Sequence, residues 1–285
     1  MDNKLNIIFF GEDTFSNIIL ISLIEAGHNI KGVVTPCYEN NVYKKLLVTC
    51  QKYGIKFIRS LKINGEEVKS FLLSEKPDLC VIAHFERLIK SDLLQIPRMG
   101  FINLHPSLLP NYRGMAPQHW PIINGEKISG ITIHKVDEGT DTGDIILQEI
   151  IEVLPDDYVS DLQKKWMQSY KTIMVRAIQK LVEDDFKGIK QSHLAGSYYG
   201  KLSEEECQIN KLGSIKEAYR LIRGVSMPYY GARWNDYILW RAHFPSLQEL
   251  EVIEIKDNDG LYIQDDKVWL QLNKEILLID KYQKI

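Results

Sequence analysis

Leu5-Asn6-Ile7-Ile8-Phe9-Phe10-Gly11-Glu12-Asp13 opens the segment that decides the fold, and the segment runs on to Val34. Leu5 to Phe10 is a short, nearly continuous apolar run, the pattern of a strand buried on both faces. Beyond Gly11, Phe15, Ile18, Ile19 and Leu23 recur at helical spacing, and Gly27-His28 marks the stop. Ile30 to Val34 reads as a second strand. Strand, helix and strand at this spacing form a βαβ unit, which implies a parallel sheet. The theme repeats in a helix over Tyr43 to Tyr53, a short strand over Lys56 to Arg59 and a helix over Glu66 to Leu73. Leu79 to Ala83, Gly100 to Leu104 and Gly130 to Val136 read as further buried strands. Phe10-Gly11-Glu12-Asp13 lacks the G-x-G-x-x-G spacing, so Gly11 is read as a turn glycine and not as a dinucleotide site.

The second half changes character. Tyr158 to Val182 predicts one or two helices packed on the sheet, and the charged stretch Val182 to Lys190 reads as surface. Gly196 to Glu206, with Gly196, Gly200 and three consecutive glutamates, reads as a linker. A short helix over Ile215 to Arg223 follows. Then come β-like runs at Leu250 to Ile255, Leu261 to Ile263, Val268 to Leu272 and Ile276 to Ile279, separated by turns such as Asp257-Asn258-Asp259-Gly260. The expected fold class is α/β: a Rossmann-like, mostly parallel N-terminal sheet domain with a smaller β-rich, OB-like C-terminal domain. The expected boundaries are 1–195 for a catalytic domain and 196–285 for linker plus C-terminal domain.

Composition narrows the function classes. Of 285 residues, 45% are hydrophobic and 26% charged, as in ordinary globular enzymes, and the net charge of −3 argues against a general nucleic-acid binder. Cys37, Cys50, Cys80 and Cys207 form no C-x-x-C pair, so no zinc or redox motif is expected, and free thiols fit a reducing cytosol. The start Met1-Asp2-Asn3-Lys4 is wrongly flanked for a signal peptide, and no apolar run is long enough to span a bilayer. A cytoplasmic protein with no membrane partner is the expectation.

The chemistry concentrates in Phe101-Ile102-Asn103-Leu104-His105-Pro106-Ser107-Leu108-Leu109-Pro110. Strand alternation puts Asn103 and His105 on one side. In an open α/β sheet the ligand crevice lies at the carboxyl ends of the strands. There an amide can donate to a developing oxyanion and an imidazole can handle a proton near neutral pH. Downstream, Val136-Asp137-Glu138-Gly139-Thr140-Asp141-Thr142-Gly143-Asp144 forms a tight acidic loop after a strand. A carboxylate here could orient His105; the composition suits a surface turn equally well.

These residues carry a resemblance. The segment Asn103-Leu104-His105-Pro106-Ser107-Leu108-Leu109-Pro110, followed by Tyr112-Arg113-Gly114, Ala116-Pro117, Asn124-Gly125-Glu126, Gly130-Ile131-Thr132 and Asp141-Thr142-Gly143, resembles the formyl-folate-dependent formyltransferases. The likeness runs from about Phe9 to Val153. It implies formyl transfer from 10-formyltetrahydrofolate to a primary amine, without a metal, with Asn103, His105 and Asp141 catalytic. It further implies a folate pocket built from main chain near His84, Phe85, Glu86 and Leu88 and from the loop with Asp137, Gly139 and Thr140. A strand-end cap is the alternative reading of His84. His28, His119, His134, His193 and His243 are read as structural or surface residues.

Within the family, Ser197-Tyr198-Tyr199-Gly200-Lys201 and Leu221-Ile222-Arg223-Gly224-Val225 through Pro228-Tyr229-Tyr230-Gly231-Ala232 look like the second domain of two branches. One formylates methionyl-tRNA, the other nucleotide-linked amino sugars. The glycinamide ribonucleotide enzyme has only the first domain, and the formyltetrahydrofolate deformylase places a regulatory domain ahead of a catalytic fold that here starts at residue 5. The tRNA branch inserts a basic loop after the second strand; here Thr35 to Val42 is short and not basic, and the chain is shorter than that branch's enzymes. The expectation is therefore an amino-sugar N-formyltransferase acting on a sugar linked to dTDP, UDP or GDP, in surface-polysaccharide (lipopolysaccharide, O-antigen) synthesis. Ser107, Arg113, Tyr198, Tyr199, Arg223, Tyr229, Tyr230 and Trp234 are the candidate substrate contacts. Methionyl-tRNA formylation and a non-catalytic folate or nucleotide-sugar binding module are the alternatives, and a homodimer is compatible with the chain. Two departures stand out: Gly231-Ala232-Arg233-Trp234 replaces a Gly-Ala-Phe, and Gly224 replaces an alanine, for which the sequence offers no reason.

Overall fold

The structure, a computed structural model, describes residues 4–37, 41–192, 195–264 and 266–285. The first elements alternate strand and helix: β1 (Asn6–Gly11), α1 (Thr14–Glu25), β2 (Asn29–Pro36), α2 (Lys44–Tyr53), β3 (Phe57–Ser60), α3 (Glu66–Glu75), β4 (Leu79–Ala83), α4 (Ser91–Leu94) and β5 (Phe101–His105). Next come β6 (Arg113–Gly114), α5 (Trp120–Ile123), β7 (Ile128–Lys135), β8 (Ile145–Glu152), α6 (Val159–Tyr170), α7 (Ile173–Glu183) and β9 (Tyr198–Tyr199). The last are α8 (Ile215–Val225), β10 (Ala232–Trp234), β11 (Tyr237–His243), α9 (Leu247–Leu250), β12 (Gly260–Gln264), β13 (Lys267–Leu272) and β14 (Glu275–Lys284).

The chain forms two compact units. The first takes residues 1–114, 130–151 and 165–198, and the second 115–129, 152–164 and 199–285. The first unit carries a seven-stranded sheet in the order β3-β2-β1-β4-β5-β7-β8. β1 runs parallel to β2 and β4, β2 to β3, and β4 to β5. β4 is buried along its whole length, as a central parallel strand covered on both faces must be. The entry to α1 is fixed by a capping box: Asp13 accepts from the Ser16 amide, and Ser16 Oγ accepts from the Asp13 amide. Ile8, Phe10, Val34, Phe71, Ile82, Leu93 and Phe101 belong to one core cluster on this sheet. The thiol of Cys80 is wholly buried among apolar residues, and its pKa is pushed up by that burial.

β5 and β7 pair antiparallel, which reverses the chain direction beside the strand that ends in His105. Ile145–Glu152, unassigned above, forms β8 at the sheet edge, where its mixed burial gives a weak apolar signal. The helical stretch expected over Tyr158 to Val182 is two helices, α6 and α7.

The second unit holds a five-stranded sheet in the order β10-β11-β14-β13-β12, all antiparallel. Against it lies the apolar face of α8, with Ile215, Ala218, Ile222 and Val225 in one cluster with Leu239, Leu270 and Leu277. The β-like run expected at Leu250 to Ile255 is not a strand. Only its first residue is helical, at the end of α9, which a Ser246–Glu249 capping box starts; residues 251–255 are turn and irregular chain, with Val252 and Ile255 exposed. Gly224 gains a reason here. A β-carbon on it would stand 2.6 Å from Ile123 Cγ1, so the approach of α5 to α8 requires a glycine. Arg233, the other departure, pairs with Glu204 at 3.0 Å.

Candidate active site

Asn103 and His105 lie on β5 at the carboxyl end of the sheet. The antiparallel register sets Asn103 opposite His134 and His105 opposite Thr132. Directly opposed residues share a face, so the Asn103 and His134 side chains meet, with Nδ2 3.2 Å from Nε2. The segment after His105 is clamped from β7 and β8. Thr132 Oγ1 donates to the Ser107 carbonyl at 2.6 Å and accepts from the Leu109 amide, and Gln148 Nε2 donates to the Leu109 carbonyl.

His105 is 5% exposed and both its ring nitrogens are engaged. Nε2 lies 2.7 Å from the Tyr112 carbonyl oxygen, so this nitrogen carries a proton and donates. Nδ1 faces Asp141 Oδ2 at 3.5 Å. Burial lowers the pKa of His105, and the Asp141 carboxylate and Tyr112 carbonyl oppose that only in part.

Asp141 comes from the loop after β7, with φ 55. Left-handed backbone is tolerated by aspartate more readily than by most residues. The loop is tied by Asp137, whose Oδ1 accepts from the Gly139 amide and from Thr142 Oγ1 at 2.7 Å. Gly143 permits the close return: a β-carbon there would sit 1.9 Å from the Lys135 carbonyl oxygen. Asp141 Oδ2 also accepts from the Gly114 amide at 2.9 Å, and Oδ1 lies 3.4 Å from His134 Nε2. Burial would raise the Asp141 pKa. His105, His134 and the Gly114 amide outweigh it and hold the carboxyl well below the usual range.

Asn103, His105 and Asp141 therefore converge, and His134 joins them, although the sequence reading made it structural. Its signal is the β5–β7 register, which the residue pattern alone does not reveal.

The residues expected near a folate ring divide. The His84 ring is enclosed: Nε2 is 3.0 Å from Tyr170 Oη, Nδ1 3.7 Å from Asp13, and Phe15 stacks on it. Burial lowers its pKa, with Asp13 opposing. After it, Phe85 packs edge-on against Phe10, the Glu86 amide donates to Glu12 Oε1 at 2.7 Å, and the Leu88 side chain is 65% exposed. This irregular main chain lies at the carboxyl end of β4. Asp137 and Gly139 are exposed and Thr140 half-buried.

Of the candidate substrate contacts, Ser107 is fully buried and donates to the Asn111 carbonyl. Arg113 is buried and holds Gln191 Oε1 with Nε and Nη2, while Gln191 Nε2 donates to the carbonyls of Asp141 and Gly143. Arg113 thus braces the Asp141 loop. Arg223 is buried in the second unit, donates to the Asp157 carbonyl and lies over the Tyr219 ring. Tyr199 stacks on Trp120 and accepts from Asn124; Tyr229 meets His119 edge-on and accepts from Gln163. Trp234 is half-buried, whereas Tyr198 (63%) and Tyr230 (36%) are exposed. His193 and part of the Thr35–Val42 loop lie outside the described residues. Among the described residues, no cluster of three His, Cys, Asp or Glu side chains could hold a metal, and no helix is long and apolar enough to cross a membrane.

The sequence matches the family described as formyl transferase over residues 5–178, and the chain belongs to that family. It is an N-formyltransferase. It is 30% identical over 275 residues to a methionyl-tRNA formyltransferase of Desulforamulus reducens, covering 91% of this chain and 86% of the relative. Its fold resembles a sugar 3N-formyl transferase, WlaRD, crystallised with dTDP and 5-N-formyl-THF (TM-score 0.73, 20% identity, 99% and 98% of the two chains). It also resembles the N-formyltransferase of Helicobacter canadensis in complex with folinic acid and dTDP-3-aminofucose (TM-score 0.73, 20% identity, 98% and 100%).

Proposed function

We propose that the chain moves a formyl group from 10-formyltetrahydrofolate to the primary amine of a nucleotide-linked amino-deoxysugar, linked to dTDP, UDP or GDP, in the cytoplasm for surface polysaccharide such as lipopolysaccharide or O-antigen. The catalytic part lies within residues 1–195, less the stretches 115–129 and 152–164 that belong to the second compact unit, and 196–285 supply the linker and second domain. The main chain at 84–88 and the loop 137–141 hold the co-substrate, which supplies an activated formyl carbon. Asn103 spends one Nδ2 proton on His134 and has a second to donate to the formyl oxygen as charge develops there, an effect on the order of 10²–10³ in rate. His105, with Nε2–H bound to Tyr112, takes the amine's proton at Nδ1, where Asp141 stabilises the imidazolium; that proton goes on to the donor nitrogen as its bond to the formyl carbon breaks and tetrahydrofolate leaves.

The observation that favours a sugar over a tRNA is electrostatic. In the second unit acidic residues outnumber basic ones. Several of its basic side chains are neutralised: Lys211 by Glu205, Arg233 by Glu204 and Lys256 by Glu254. A tRNA ligand needs several free cations for its phosphates, whereas a nucleotide sugar has two phosphates and a base for stacking. In the second unit Tyr230 is among the exposed aromatic side chains on which such a base could stack.

The second reading, methionyl-tRNA formylation, is favoured by the 30% identity to such an enzyme along 91% of the chain. Purified protein should be given the formyl donor with dTDP-, UDP- and GDP-linked 3-amino- and 4-amino-deoxysugars, and separately with methionyl-tRNA. Release of tetrahydrofolate with a nucleotide sugar and none with methionyl-tRNA is expected. Formylation of methionyl-tRNA alone, with a rate falling steeply between low and moderate salt, would overturn the choice.

A further inference from the structure

We propose that His134 is a positioning residue of the formyl-transfer site, holding the Asn103 amide in its donating orientation and facing the second oxygen of Asp141 with the same ring nitrogen. The inference rests on the roles proposed above for Asn103, His105 and Asp141.

His134 is 2% exposed, and its Nδ1 lies 2.7 Å from the Lys135 carbonyl oxygen. A carbonyl can only accept, so Nδ1 bears a proton and the neutral ring presents a bare Nε2. That nitrogen is 3.2 Å from Asn103 Nδ2. An acceptor at this point selects the amide rotamer with the amino group toward His134. The remaining Nδ2 proton is then held in place for a developing oxyanion. Without the acceptor, the amide can turn its own oxygen toward the reacting oxygen, replacing a donor with a repulsive contact.

The same Nε2 is 3.4 Å from Asp141 Oδ1, while His105 Nδ1 is 3.5 Å from Oδ2. The carboxylate therefore stands between two imidazoles, each anchored through its far nitrogen to a backbone carbonyl, Lys135 or Tyr112. The charged groups facing His134 are Asp141 and the His105 ring, 6.4 Å from it centre to centre, with His84 and its partner Asp13 beyond. Unprotonated, Nε2 accepts from Asn103 Nδ2; protonated, it would donate to Asp141 Oδ1 and release Asn103.

The test compares His134→Ala, His134→Gln and Asp141→Asn. His134→Ala should lower kcat about 10²-fold, the scale of a misplaced catalytic group. KM for the formyl donor should stay within about threefold, because ground-state binding is untouched. Glutamine offers an acceptor oxygen to Asn103, so His134→Gln should recover about tenfold of that loss. Removing a cationisable neighbour favours protonation of His105, so both His134 variants should move the acidic limb of kcat/KM to higher pH. Asp141→Asn removes an attraction and should move it lower. A folded His134→Ala with wild-type kcat, a defect confined to KM, or an unmoved acidic limb would overturn the proposal. Nitrogen-15 spectra of the histidines give a readout without turnover: an Nδ1–H tautomer for His134, with an Nε2 resonance that shifts in Asn103→Ala, is expected. An Nε2–H tautomer overturns the proposal. If the spectra agree while wild-type protein formylates no amine offered, the proposed function is what fails.

Discussion

The carbonyl oxygen of Tyr112 lies 2.7 Å from His105 Nε2, and Tyr112 holds a left-handed backbone, φ 60, to put it there. For a bulky residue that conformation costs on the order of 1–3 kcal/mol, so the surrounding structure enforces it. The tautomer of His105 is thus set by Tyr112, and Asp141 receives the proton-accepting side of the ring. The His105 ring is thus held between a backbone carbonyl and a carboxylate.

His105→Asn should lose at least about 10² in kcat with the fold intact, because the acceptor for the amine's proton is gone. Circular dichroism and single-turnover kinetics check it. A folded variant with near-wild-type turnover would remove His105 from the mechanism.

Asp141→Asn should cut kcat while affinity for a non-reactive folate analogue, measured by calorimetry, stays within several-fold of wild type. Its stability should respond to acid in a defined direction. The folded pKa of Asp141 is depressed, so the wild-type carboxylate stabilises the fold above the usual carboxylate pKa of about 4 and loses that contribution as pH falls below it. The asparagine variant should show a shallower loss of urea midpoint below that pH; an unchanged slope would falsify the linkage.

The parallel sheet, the strand-end position of Asn103 and His105, and the Asp141 loop were legible because apolar runs and turn residues report on local geometry. His134 was not. Its role depends on β5 and β7 pairing antiparallel with Asn103 opposite His134, a register fixed by the whole sheet. The surroundings of Arg113 were not legible for a related reason. An arginine in a glycine-containing loop suggests an anion site, but Gln191, distant in sequence, draws it inward. Leu250 to Ile255 shows the converse, a β-like apolar pattern in a stretch that finds no strand partner and leaves Val252 and Ile255 exposed.

His119, in the second unit, gives a pH effect of its own. Its ring is buried, Nδ1 donates to the Gly224 carbonyl at 2.7 Å, and burial pushes its pKa down to about 4. The folded pKa is depressed, so the unfolded chain binds the extra proton first as pH falls. Stability is complete above about pH 6.5, the unfolded value, and declines toward pH 4, by roughly 3 kcal/mol from this group. His119→Gln keeps a donor for the carbonyl without the titration. Its urea-unfolding free energy should therefore fall less than wild type between pH 7.5 and 4.5; parallel curves for the two proteins would refute the assignment.

Gly224→Ala tests the departure that the fold explains. Alanine in a helix interior gains up to about 1 kcal/mol over glycine, which by itself would stabilise α8. Against this, the new β-carbon would stand 2.6 Å from Ile123 Cγ1 and 3.4 Å from the His119 carbonyl oxygen. Cγ1 is bonded directly to the branched Cβ and yields less than a side-chain tip, so α5 must move or Ile123 must leave its rotamer. Overpacking of this kind costs about 1–3 kcal/mol, which exceeds the propensity gain, and the expected outcome is net destabilisation. Ile123→Ala removes the obstructing atom. The double variant should therefore lose less stability than the two single variants together, with a coupling of about 0.5 kcal/mol or more. Strict additivity, or a Gly224→Ala protein more stable than wild type, would show that the α5–α8 approach does not require glycine.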